Sequence, residues 1–190
     1  GMDLKDMSLS HINMAGIPQI TNAINFHIAP TMQNPNLNFF RDGSATQPYF
    51  KPEGSITLNN YEGSMEGLLK GIDLSKLQVI MGGPRPQEDL TAMFEGAIIP
   101  ADKLDKVNEI LNRFDKSYKW DCMFKGAKLN GILPEQINIP GDRAMSLVGM
   151  FSESDVTKDI EVQDNFHHVD EMFMNCLGLT TLTPNWEKSY

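Results

Sequence analysis

The sequence has little cysteine, no long apolar run and few clustered basic residues. Its two cysteines, Cys122 and Cys176, form no CxxC pair and give no disulfide framework. Both read as reduced residues in apolar surroundings. No window approaches the ~18 apolar residues of a membrane span. Residues 3–7 hold no apolar stretch of the kind a signal peptide needs. Gly1 before Met2 reads as a residue left by tag removal. These features together point to a cytoplasmic chain with no membrane association. No GxSxG, HExxH, GxGxxG or GxxxxGK[ST] motif is present, and neither cysteine has a histidine close in sequence.

Basic residues number 16 against 25 acidic ones, for a net charge of −9. A protein that grips nucleic acid through phosphates needs clustered Lys and Arg. Here they are scattered and outnumbered, so direct nucleic-acid binding is not expected. What is plentiful is apolar side chain. Hydrophobic residues make up 41% of the 190, including 12 Met and 10 Phe. That is enough for one domain over residues 1–190 with a real core.

Periodicity suggests a mainly β, α+β chain. Residues 20–28 alternate, with Ile24, Phe26 and Ile28 on one face, as a half-buried strand does. Residues 55–59 and 77–81 read as short strands. A weak helix is conceivable over 62–70, although Gly63 and Gly67 disfavour it. Residues 93–99 suit a strand. Residues 102–114 give the clearest helix: Leu104, Val107, Leu111 and Phe114 form an apolar stripe, and Asp102 occupies the N-cap position. Three strands in a meander are then expected over 119–151. Asn130-Gly131 is a strong hairpin signal, and Pro140-Gly141 suits a type II turn. The run 144–151 is apolar on both faces, so it should be doubly buried or face a partner. Val156, Ile160 and Val162 alternate with Thr157, Asp159 and Glu161, which predicts an amphipathic strand with Asp159 outward. Residues 165–177 predict a C-terminal helix closed by Gly178. No internal repeat stands out.

Between these elements, residues 30–54 are rich in Pro, Asn and Gly, yet carry Phe39, Phe40, Tyr49 and Phe50. A stretch this long without regular structure is uncommon inside a domain. It reads as an ordered arm packing on the domain or on a neighbour. The candidate interface set is therefore Phe39, Phe40, Tyr49 and Phe50, with Met145, Leu147 and Met150 from the two-sided apolar run.

Chemistry-bearing candidates are thin. Asp164, His167, His168, Asp170 and Glu171 cluster in sequence. On a helix Asp164, His168 and Glu171 would share one face, a geometry in which a divalent ion could bind. The ordinary alternative is a solvated helix face. Gly82-Gly83-Pro84-Arg85-Pro86 follows a strand, but Pro84 and Pro86 remove N–H donors that a phosphate cradle needs. It reads as a stiff turn. His11 and His27 stand alone.

The order Phe94-Glu95-Gly96-Ala97-Ile98-Ile99, helix, Phe124-Lys125-Gly126-Ala127-Lys128-Leu129, turn, Ile137-Asn138-Ile139-Pro140-Gly141-Asp142, then Met145 to Phe151 resembles phage tail-tube proteins and the related type VI secretion tube. That resemblance covers about a third of the chain and implies an antiparallel β-sandwich or barrel with one flanking helix, assembled into stacked rings. The expectation is a non-enzymatic structural protein that self-assembles, a homo-oligomer with no cofactor. The alternatives are an α+β enzyme or small-molecule-binding domain with a polar or metal site near His167 and His168, and an adaptor that binds another protein through the 30–54 aromatics.

Overall fold

The computed structural model describes residues 2–3, 8–9, 20–22, 24–28, 53–59, 65–82, 89–114 and 116–183. Backbone hydrogen bonds define its architecture. Five stretches, 65–74, 90–99, 120–129, 147–156 and 169–178, lie one upon another like coils of a spring. From the first to the second, Gly67, Leu69 and Gly71 donate to the carbonyls of Thr91, Met93 and Glu95 at 2.8–2.9 Å. Ala92, Phe94 and Gly96 donate onward to Asp121, Met123 and Lys125, and Cys122, Phe124 and Gly126 to Val148, Met150 and Ser152. Gly149, Phe151 and Glu153 close the series on Asp170, Met172 and Met174. The fold here is a parallel solenoid, in which each tier satisfies its neighbour's backbone.

Within each tier the chain turns rather than runs straight. Leu68 donates to Met65, Lys70 to Gly67 and Ile72 to Leu69, and the same pattern recurs at Met93, Glu95 and Ala97. The third and seventh places of every tier carry positive φ: Gly67 and Gly71, Ala92 and Gly96, Cys122 and Gly126, Gly149 and Glu153, Glu171 and Asn175, all between 54° and 73°. Positive φ at the third residue of a hydrogen-bonded turn is the signature of type II. It turns the backbone while leaving alternate N–H groups free to bond along the solenoid axis.

Inward places repeat in kind. The fourth place is Leu68, Met93, Met123, Met150 and Met172, all 1% exposed or less. The fifth is Leu69, Phe94, Phe124, Phe151 and Phe173. Its four phenylalanines stack with ring centroids 5.6, 5.7 and 5.5 Å apart and planes within 9° of parallel. Those separations exceed the ~4.8 Å strand spacing, as expected for offset rather than face-to-face rings. Ala97, Ala127 and Ser154 occupy the eighth place, where a small side chain leaves room for the stack.

This architecture overturns the β-sandwich or barrel, and with it the mainly β class. Regular helix and strand are few among the described residues, because the rungs are built from turns. The named strands are β1 (Met2–Asp3), β2 (Ser8–Leu9), β3 (Ile20–Asn22), β4 (Ile24–Ile28), β5 (Glu53–Asn59), β6 (Leu77–Gly82), β7 (Met145–Ser146) and β8 (Phe166–His168). Their pairings are all parallel: β1 with β3, the order β2-β4-β5-β6, and β7 with β8. The expected strands near 20–28, 55–59 and 77–81 are present, but in parallel register, with Ile28 opposite Leu58 and Leu58 opposite Met81.

Other expectations fail for identifiable reasons. The meander over 119–151 is two tiers and the loop between them. Asn130 and Gly131 do take positive φ, 52° and 90°, but their turn forms a corner of the solenoid. The Asn130 side chain donates to the Ile99 carbonyl of the tier before, and its N–H to Asp155 of the tier after. Gly141 does not have the positive φ of a type II turn. The C-terminal helix is absent: 165–177 is β8 followed by a fifth tier. The segment 62–70 enters the first tier instead of a helix. Only the helix at 102–114 persists, as a 3-10 turn Ala101–Lys103 and α1, Leu104–Asn112. Asp102 caps nothing, since Pro100 and Lys103 hold the cap positions without side-chain bonds. Helix α1 buries Val107, Ile110 and Leu111 against the solenoid. Asn108 ties it to the loop beyond the third tier, donating to the Gln136 carbonyl and accepting from the Asn138 N–H.

Candidate functional site

The solenoid's outward side chains recur once per tier, and one column is polar throughout. Asp89, Lys119, Ser146 and His168 face one another in parallel register just before tiers two to five. Asp89 Oδ1 accepts from the Thr91 N–H at 2.9 Å and the Thr91 hydroxyl at 2.6 Å, while Lys119 Nζ donates to Oδ2 at 3.0 Å. One tier on, Asp121 Oδ1 accepts from the Ser146 hydroxyl at 2.6 Å and the Val148 N–H at 3.0 Å. These bonds within and between tiers fix the Asp89, Lys119 and Ser146 side chains in place.

A second charged column lies at the sixth and seventh places. Lys70 meets Glu95 at 2.7 Å with both side chains at most 15% exposed, and Lys125 meets Glu153 at 3.5 Å. Cys122 sits beside these charges. Burial pushes its thiol above the usual cysteine value, against the pull of Lys125. Cys176 is also raised by burial, and its Sγ donates to the Phe151 carbonyl at 3.0 Å. Neither carries the lowered value that a reactive cysteine needs. Two open grooves of about 280 Å³ flank the solenoid. One lies between α1 and the loop carrying Asn138 and Asp142, the other beside Lys128, Asp155 and Leu177.

The sequence candidates fall as follows. His167 and His168 are adjacent on β8 and both exposed, so strand alternation sends them to opposite faces. The helical spacing that would gather Asp164, His168 and Glu171 does not exist. Among the described residues no three His, Cys, Asp or Glu side chains are grouped to hold a metal ion. Met145, Leu147 and Met150 are 0% exposed and belong to this chain's own core. The two-sided apolar run is thus buried between tiers rather than presented to a neighbour. Phe39, Phe40, Tyr49 and Phe50, with His11 and residues 83–86, lie outside the described residues. So does the 30–54 arm except Glu53 and Gly54, which begin β5. His27 lies in β4. The polar ladder went unread because its members are 22 to 30 residues apart and carry no motif.

The ladder has a pH signature. Burial alone would raise the Asp89 carboxyl, but hydrogen bonds from Thr91 and Lys119 outweigh it and hold the group below 3.8. A carboxylate whose value is depressed on folding stabilises the fold above its unfolded value and loses that contribution as pH falls through the folded one. Asp89→Asn should therefore lower stability at pH 6 by about 0.5 kcal/mol, as expected for a half-exposed pair. The gap should close below pH 3.8, in urea titrations at several pH values.

No helix among the described residues is long and apolar enough to cross a membrane. Comparison with protein-family models, curated proteins and solved structures finds no match to this chain.

Proposed function

We propose that this chain is a non-enzymatic structural protein that self-associates through the last described tier of its solenoid. The observation that supports this is the character of the fifth tier and the segment after it. Solenoids that stay monomeric end in tiers with polar outer surfaces. Here Leu177 is 97% exposed, Leu182 68% and Met174 40%. Such exposed apolar side chains favour burial against another copy. Repeated head-to-tail contact would extend the stack, whereas a two-fold contact would close it. Stacking into rings, as the tube-like sequence pattern suggests, no longer has a sandwich fold to rest on, so the reading is self-association without a ring number.

Sedimentation velocity over a hundredfold range of concentration tests it. The expected result is a mass that rises with concentration, and a Leu177→Glu, Leu182→Glu double variant that stays monomeric. A wild-type chain monomeric throughout would overturn the reading.

A second reading rests on the polar ladder. Asp89, Lys119, Ser146 and His168 offer one side chain per tier in parallel register, the kind of repeated surface on which solenoids bind other proteins. Capture of a host protein by wild type, lost in a Lys119→Glu, His168→Glu double variant that remains folded, would favour an adaptor.

A further inference from the structure

Asp159 stands out among the buried polar groups. The alternating pattern 156–162 predicts it outward, but it is 0% exposed. Its Oδ2 accepts two hydrogen bonds from one residue, the Thr183 N–H at 2.6 Å and the Thr183 hydroxyl at 3.0 Å. Its Oδ1 is buried with no partner. A buried carboxylate oxygen without a donor is costly, because water would have bonded it.

The segment that supplies Thr183 runs beside 155–159. Thr180 donates its N–H to the Thr157 carbonyl at 3.0 Å and its hydroxyl to the same oxygen at 3.2 Å. The Asp159 N–H reaches the Thr181 carbonyl at 3.3 Å, a long bond. Lys158 and Thr181 pair in parallel. At its start, Gly178 lies so close that an added Cβ would come within 3.4 Å of the Val156 carbonyl. Apolar burial adds little, for Leu182 stays 68% exposed. Hydrogen bonds hold this segment, whereas the tiers are held by rungs and a stacked core.

We propose that 179–183 is a strap that opens as a unit while the tiers stay folded, with the Asp159–Thr183 contact as its latch. Opening hydrates the orphaned Oδ1 and breaks few apolar contacts, so the closed state is held by a narrow margin. Segments with few buried apolar contacts occupy the low end of local opening energies. The strap is thus a two-position element that a ligand or neighbouring copy biases by preferring one position.

Amide hydrogen exchange on the full chain, at a concentration where it is monomeric, tests this. Thr180 and Thr183 should exchange together, about a hundredfold faster than the rung amides of Phe124 and Phe151. Thr183→Val, which keeps the side-chain shape but removes the hydroxyl, should speed both by about tenfold and leave the rungs unchanged. Thr183→Ser should restore the wild-type rates. Strap amides exchanging at the rung rate would overturn the proposal, as would a Thr183→Val variant that changes nothing or accelerates every amide equally.

Discussion

Replacing Phe124 by alanine should cost about 3–5 kcal/mol, the range for a large buried ring whose cavity cannot collapse. Phe124 is 0% exposed and stacks on Phe94 and Phe151 at 5.6 and 5.7 Å. Its neighbours in the stack are fixed by rung hydrogen bonds to the following tier, Phe94 N–H to the Met123 carbonyl and Phe151 N–H to the Met172 carbonyl, so they cannot move in to fill the space. Against a typical stability of about 5–15 kcal/mol, such a loss is severe. It should appear as a fall in melting temperature of about 10 °C for a chain of this size. Phe173→Ala should cost distinctly less. Phe173 belongs to the last tier, has Phe151 as its stacking neighbour at 5.5 Å, and is only partly buried. Circular-dichroism melts of the two variants check the gradient. Equal losses would mean that the stack does not carry the energy assigned to it.

Gly149→Val should cost about 2–4 kcal/mol, from two sources that add. The φ of 60° at Gly149 is a conformation β-branched residues avoid, and an added Cβ would lie 3.4 Å from Ser152 Oγ and 3.5 Å from Cys122 Sγ. Valine's two further methyls would press on that buried neighbourhood. At Gly126, φ is similar at 64°, but nothing lies within 4 Å of the added atom. Gly126→Asn should therefore be nearly neutral, since the fifth tier already carries Asn175 at the same place with φ 59°. Chemical denaturation of both variants separates backbone conformation from crowding. If Gly126→Asn proved as damaging as Gly149→Val, equivalence of the tiers would be wrong.

Some of the fold was legible beforehand. The apolar stripe of Leu104, Val107, Leu111 and Phe114 announces α1, because a period near 3.6 has one common explanation. The alternation over 20–28 and 55–59 and the short apolar run 77–81 announce the strands β3, β4, β5 and β6. The repeat is present in the sequence too: Met93-Phe94-Glu95-Gly96-Ala97 and Met123-Phe124-Lys125-Gly126-Ala127 are equivalent segments of successive tiers. No fixed period marks it, because tier starts are 25, 30, 27 and 22 residues apart. Loops of unequal length between tiers erase a fixed period. The same two segments carried the tube-like resemblance, so a repeated tier was read as two different strands.

Turn chemistry was read correctly in kind and wrongly in partner. Asn130-Gly131 does adopt positive φ. A hairpin would return the chain antiparallel to itself, whereas here the turn feeds the next coil. Local preference cannot distinguish these, because the choice depends on which carbonyls lie 25 or so residues away. Asp159 shows the same limit. Alternation placed it outward, yet the closing segment covers it and supplies Thr183 as its donor.

By itself the sequence determined the supply of apolar residues, the one amphipathic helix and the small or turn-forming residues that bend the chain, since those follow from composition and local sterics. Tertiary structure alone decided that the strands run parallel, that four phenylalanines meet in one stack and that Asp89, Lys119, Ser146 and His168 form one column. Those outcomes rest on hydrogen bonds and contacts between residues far apart in the chain, which no local pattern encodes.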